Sequence, residues 1–107
     1  LSLTGVFMNK LEMIKAFAKL EGVTVWDTRH AGEKYLTTNI GDKYNPITDL
    51  ALNCKSRDDY NVTVDYINTR VYIEDGFNTS DRITFKSKED LRRAVIECIL
   101  KSKGLWV

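Results

Sequence analysis

This chain is poor in the residues that mark specialised chemistry. Its 107 residues contain one histidine, two cysteines and one proline, and its basic and acidic side chains nearly cancel to a net charge of +1. Each scarcity excludes something. A near-zero charge argues against a protein whose affinity comes mainly from releasing counterions on duplex DNA, although a local basic patch stays open. Cys54 and Cys98 form no Cys-x-x-Cys pair, and with a single histidine they make no recognisable zinc site. Both cysteines are expected on the apolar side of a helix, as small buried hydrophobes. There is no glycine-rich phosphate loop, internal repeat, low-complexity segment or long linker. Residues 1–7 are apolar but lack a basic leader and are too short for a secretory core or a membrane span, which points to a cytoplasmic protein with no membrane partner. Met8, standing before Asn9 and a helical pattern, looks like a natural start, so residues 1–7 are taken as a tag or an upstream extension.

What is present is an ordinary globular composition, 43% apolar and 29% charged, at a length that suits one core. A single domain over residues 8–107 is therefore expected. Leu11, Ile14, Phe17, Ala18 and Leu20 recur at helical spacing, with Glu12, Lys15 and Lys19 opposite them and Gly22 closing the helix. Residues 23–26 and 33–38 are expected to be strands joined by a loop over 27–32. Asn45 is placed to cap a second helix, with Pro46 in its first turn and Ile47, Leu50, Ala51 and Cys54 as its apolar stripe. Val62, Val64 and Tyr66 alternate as a strand, Asn68-Thr69 offers a turn, and Val71 and Ile73 continue the pattern. Residues 74–81 are expected to form a polar loop pinned by Phe77. Ser87 and Asp90 make a capping box for a last helix that carries Leu91, Ala94, Val95, Cys98 and Ile99 on one face. Ile96 and Leu100 fall on the other side and call for a cover, either the tail 105–107 or a second subunit. The expected class is α+β: an antiparallel four-stranded sheet layered with three helices, in the order α-β-β-α-β-β-α.

Few residues invite a chemical role. Arg29 and His30 share a loop, where a guanidinium grips an anion and an imidazole titrates near neutrality, but no recognised spacing ties a nucleophile to them. Trp26, near a loop edge, and Tyr44, before a helix start, offer flat faces for a base. Arg92, Arg93, Lys101 and Lys103 make the last helix basic. The carboxylate pairs Asp58-Asp59 and Glu74-Asp75 fit no calcium loop and are expected to be solvated.

Tyr44-Asn45-Pro46 with Asp49 and Ala51, together with the segment from Ala94-Val95-Ile96 to Lys103-Gly104, resembles the small phage and prophage proteins grouped as NinX-like or phage ABA-sandwich domains. The chain departs from that pattern in lacking a glycine-proline stretch soon after the tyrosine motif. The resemblance implies a phage accessory protein with helix, sheet and helix layers, acting in the cytoplasm of a bacterial host. It brings no catalytic residues, metal or cofactor. The leading expectation is non-enzymatic, stoichiometric binding to a host or defence protein, as a counter-defence factor, with loops 27–33 and 74–81 as the contact surfaces. Across this reading and its alternatives the expected binding residues are Trp26, Arg29, His30, Tyr44, Asn45, Arg92 and Arg93, with Trp26 and Tyr44 for a base, Arg29 for phosphate, and Arg92 and Arg93 for nucleic acid. The alternatives are a nucleotide-binding module or sponge and a weak nucleic-acid binder, and a homodimer is allowed.

Overall fold

The computed structural model describes residues 8–76 and 78–106. Residues 1–7, Phe77 with its expected pinning role, and Val107 lie outside the described residues. The chain divides into two compact units, the first ending at Asn45 and the second running Pro46–Trp106.

The first unit opens with α1, Lys10–Glu21. Asn9 caps it through a reciprocal box: its side chain accepts from the Glu12 N–H at 2.8 Å, and the Glu12 carboxylate accepts from the Asn9 N–H at 3.3 Å. Gly22, at φ 70°, ends the helix, and the Val23 N–H returns to the Ala18 carbonyl at 2.8 Å. Met13, Ile14, Phe17 and Ala18 are buried. Next come β1, Val25–His30, and β2, Glu33–Thr38, paired antiparallel from Val25↔Thr38 to His30↔Glu33. The expected loop over 27–32 is thus mostly strand, because Ala31 and Gly32 alone make the reversal, at φ 53° and 81°. Positive φ at both central positions is the primed turn whose twist matches that of the strands it joins.

In the second unit, α2 spans Leu50–Asp59 and is capped by Asp49, whose side chain accepts from the Leu52 N–H. Asn45 does not cap it and Pro46 precedes its first turn. The buried Asn53 amide holds the Pro46 carbonyl at 2.8 Å, which fixes residues 46–48 as a turn outside the helix and leaves Asp49 as the cap. The same amide donates to the Arg92 carbonyl at 3.1 Å, and Ser56 Oγ donates to the Leu52 carbonyl at 2.8 Å. These satisfied polar groups turn Asn53 and Ser56 inward, so Leu50, Ala51 and Cys54, expected as the apolar stripe, are exposed.

The second unit's sheet consists of β3, Val62–Asp65; β4, Arg70–Asp75; β5, Asn78–Thr79; and β6, Ile83–Thr84. β3 pairs with β4 across the turn 66–69, where the Asp65 carboxylate accepts from the Ile67 and Asn68 N–H groups and the Asn68 amide. Hydrogen bonds from Asn68, with Arg70 nearby, hold that carboxyl below its ordinary range despite some desolvation. The expected polar loop 74–81 is instead a return strand in two pieces. β5 pairs Glu74↔Thr79 and β6 pairs Val71↔Ile83, so the return strand carries one residue more than β4 between those pairs, a β-bulge. Ser80 fills the gap: its N–H reaches the Ile73 carbonyl at 2.7 Å and its Oγ accepts from the Ile73 N–H at 2.8 Å. The α+β class holds, but the single four-stranded sheet does not. The first hairpin stays a separate two-stranded sheet, and the second sheet is built entirely from residues 62–84.

α3, Lys88–Ser102, starts at Ser87, whose Oγ accepts from the Asp90 N–H, while the Asp90 carboxylate takes the Lys86 N–H one residue before the cap. It packs against β4 and β6 and also against α2. That double packing widens its apolar face, and Ile96 and Leu100 are fully buried along with Ala94, Val95, Cys98 and Ile99. The helix ends in a turn in which the Leu105 N–H donates to the Leu100 carbonyl at 2.8 Å, and Trp106 is half-buried with Lys101 over its ring.

Candidate functional site

In the first unit α1 and the hairpin enclose an open groove of about 320 Å³, lined by Leu11, Lys15, Asp27, Thr28, Arg29 and Lys34. Leu11 and Lys15 stand four apart, hence on one helix face. Lys15 Nζ lies 3.0 and 3.2 Å from the two Asp27 carboxylate oxygens, an exposed pair that contributes little to stability. Arg29 is directly opposite Lys34 in the strand register, and among the described residues neither has an ionic or hydrogen-bonding partner. Like charges at opposed positions destabilise a hairpin. The groove therefore holds three cations and one carboxylate, and two of those cations are unneutralised.

Strand alternation decides what else converges there. Val25, Asp27 and Arg29 share one face of β1, and Trp26, Thr28 and His30 share the other. Trp26, 50% exposed, stands opposite Thr37, and Thr28 Oγ1 and Thr37 Oγ1 share a hydrogen bond of 2.9 Å on that side. Arg29 and His30, neighbours in the chain, point to opposite faces, and His30 is exposed at the turn across from Glu33.

Tyr44 is buried, at 8% exposure, so its ring offers no face to a ligand, and among the described residues its hydroxyl has no partner. Desolvation, helped by the charge of Glu21, pushes this phenol up to about 12. A folded-state pKa raised above the ordinary value of about 10 gives stability that is complete below pH ~10 and is lost as pH rises towards 12. Tyr44→Phe should be more stable by about 1 kcal/mol at neutral pH, since it removes an unsatisfied hydroxyl. Urea titrations from pH 7 to 12 should show its lead over the natural protein flat at first and widening above pH ~10. Asn45 is half-buried at the end of the first unit.

Arg92 and Arg93 are occupied by the fold. Arg92 Nε donates to the Ile47 carbonyl at 2.9 Å. Arg93 forks onto Asp90 at 3.0 and 3.1 Å, reaches Glu97 through its other nitrogen, and donates to the Thr84 carbonyl. Burial pulls the Arg93 guanidinium down, but the Asp90 hydrogen bonds and the Glu97 charge outweigh it and raise it. The same guanidinium holds Asp90 low. Lys101 pairs with Glu97 at 3.1 Å, and Lys103 sits over the Tyr60 ring. Cys98 is buried 3.6 Å from Ser80 Oγ, and desolvation raises its thiol, the wrong direction for a nucleophile, while Cys54 is exposed.

Among the described residues no cluster of three or more His, Cys, Asp or Glu side chains is placed to hold a metal ion, and no helix is long and apolar enough to cross a membrane. Of the candidate residues, only Arg29 lines the groove. In the sequence Lys15 stands out only as part of the polar face of α1 and Lys34 not at all, yet the Ala31-Gly32 turn fixes His30 against Glu33, and hence Arg29 against Lys34. None of the family models, curated proteins or solved structures compared with the chain matches it.

Proposed function

We propose that this chain is a non-enzymatic binding protein that docks one-to-one on an acidic surface of a partner protein through the groove beside β1. In keeping with the phage-type resemblance of its sequence, the partner is a host or defence component, blocked by occupation. The observation that carries this reading is the juxtaposition of Arg29 and Lys34, opposed in the hairpin without a counter-charge among the described residues. Such an arrangement costs the free hairpin stability and is relieved when carboxylates arrive. A nucleotide fits less well: Trp26 and Arg29 lie on opposite faces of β1, so a base stacked on Trp26 gains no phosphate contact from Arg29, and Tyr44 is buried.

Both cations are exposed, so their reversal leaves the core untouched. Immobilised protein should retain one component of bacterial lysate in near-equal amount, and the double variant Arg29→Glu/Lys34→Glu should retain at least about tenfold less, as befits loss of charge pairs worth over a kcal/mol. Equal retention by both proteins, or none by either, would overturn the reading.

A further inference from the structure

Among the described residues the hairpin has one closed edge and one open edge. On the outer side of β2 the Thr38 N–H donates to the Asp42 carbonyl at 2.9 Å, and the Leu36 carbonyl accepts from the Tyr44 N–H at 2.9 Å. The backbone groups of Leu36 and Thr38 therefore point away from β1. Their register partners Asp27 and Val25, and Arg29 by the same alternation, must point away from β2. The N–H and C=O groups of Val25, Asp27 and Arg29 thus line a free edge along the six residues of β1, and among the described residues they have no backbone partner. α1 packs against β2 and reaches β1 through the Lys15–Asp27 side-chain pair. The groove with Lys15, Arg29 and Lys34 runs beside it. Among the described residues the outer edge of β3 is also unpaired, but it is only four residues long.

The geometry points to an extended acidic peptide segment of the partner as the occupant, added antiparallel to β1 as a third strand with its carboxylates towards Lys15, Arg29 and Lys34. This rests on the binding role proposed above and specifies its mode. An edge that presents donors and acceptors alternately is matched by another peptide backbone. A phosphate backbone has acceptors only and would meet the Asp27 carboxylate among the cations. The half-buried Leu11 side of the groove suits the aliphatic residues that alternate with acids along such a strand.

The test uses the full chain, isotopically labelled, and a capped peptide of alternating Glu and Val about seven residues long, enough to span β1 at ~3.3 Å per residue. On binding, amide exchange should slow at Val25, Asp27 and Arg29 and stay unchanged at Trp26, Thr28 and His30, which already face β2. A Lys-Val analogue should not bind, and N-methylation along one edge of the acidic peptide should weaken it about tenfold or more. Absence of binding, protection without the alternate-residue pattern, or indifference to N-methylation would overturn the proposal. So would tighter binding of oligothymidylate of the same length. If the peptide fails while the lysate partner is still lost with Arg29→Glu/Lys34→Glu, strand addition is wrong and the acidic docking surface stands. If that variant retains the partner, the broader reading fails.

Discussion

Asn53→Asp should destabilise the protein by about 3–5 kcal/mol at neutral pH, the range for a buried charge left without compensation. The Asn53 amide, 4% exposed, donates to the Pro46 and Arg92 carbonyls, so a carboxylate there would set oxygen against two oxygens at 2.8 and 3.1 Å. Burial and those carbonyls both oppose ionisation, which raises the new group's folded-state pKa above its unfolded value of ~3.9. The sign follows. The neutral acid can donate to one carbonyl, so stability is largely recovered below pH ~4 and lost as pH rises through the raised folded-state value. Asn53→Ala removes the donor without adding charge and should cost about 2–3 kcal/mol, with little dependence on pH. Urea midpoints of both variants at pH 4 and pH 7 check the contrast. A pH-independent Asn53→Asp would show that the two carbonyls do not converge on this side chain.

The second large effect sets two apolar residues against each other. Ile96 is fully buried on α3 and Leu50 is 60% exposed on α2. Ile96→Ala should cost about 2–5 kcal/mol through the lost side chain and the cavity left behind. Leu50→Asp should stay within about 0.5 kcal/mol, since it exposes nothing new and places an acid in the first turn of a helix. Thermal melts decide this, and the reverse ranking would mean that helix periodicity alone assigns the faces correctly.

Local devices were legible in the sequence. Gly22 and Ser87 act within a few residues of themselves, so their chemistry is readable without the fold. Strand existence was largely legible too, from the alternation at Val62 and Val64 and again at Val71 and Ile73. Partnership was not. Nothing in an alternating pattern says which strand it will join, so the hairpin of residues 25–38 could not be told from half of a larger sheet. The inward face of α2 was hidden because it is chosen by the reach of Asn53 to residues 7 and 39 positions away in the chain. The groove was half visible: Arg29 stood out, whereas Lys34 gains meaning only from the register, and Lys15 only from the carboxylate of Asp27 across from it.

The one-residue slip between β5 and β6 also bears on whether copies of this chain can pair through that margin of the second sheet. A long, flat outer strand is a template onto which further molecules zip to grow fibrils. Here that margin is cut into two-residue pieces by the bulge at Ser80, whose hydroxyl is turned inward onto the Ile73 N–H, so among the described residues it presents no run long enough to recruit another molecule. On that margin of the second sheet, resistance to aggregation comes from shape and not from charge.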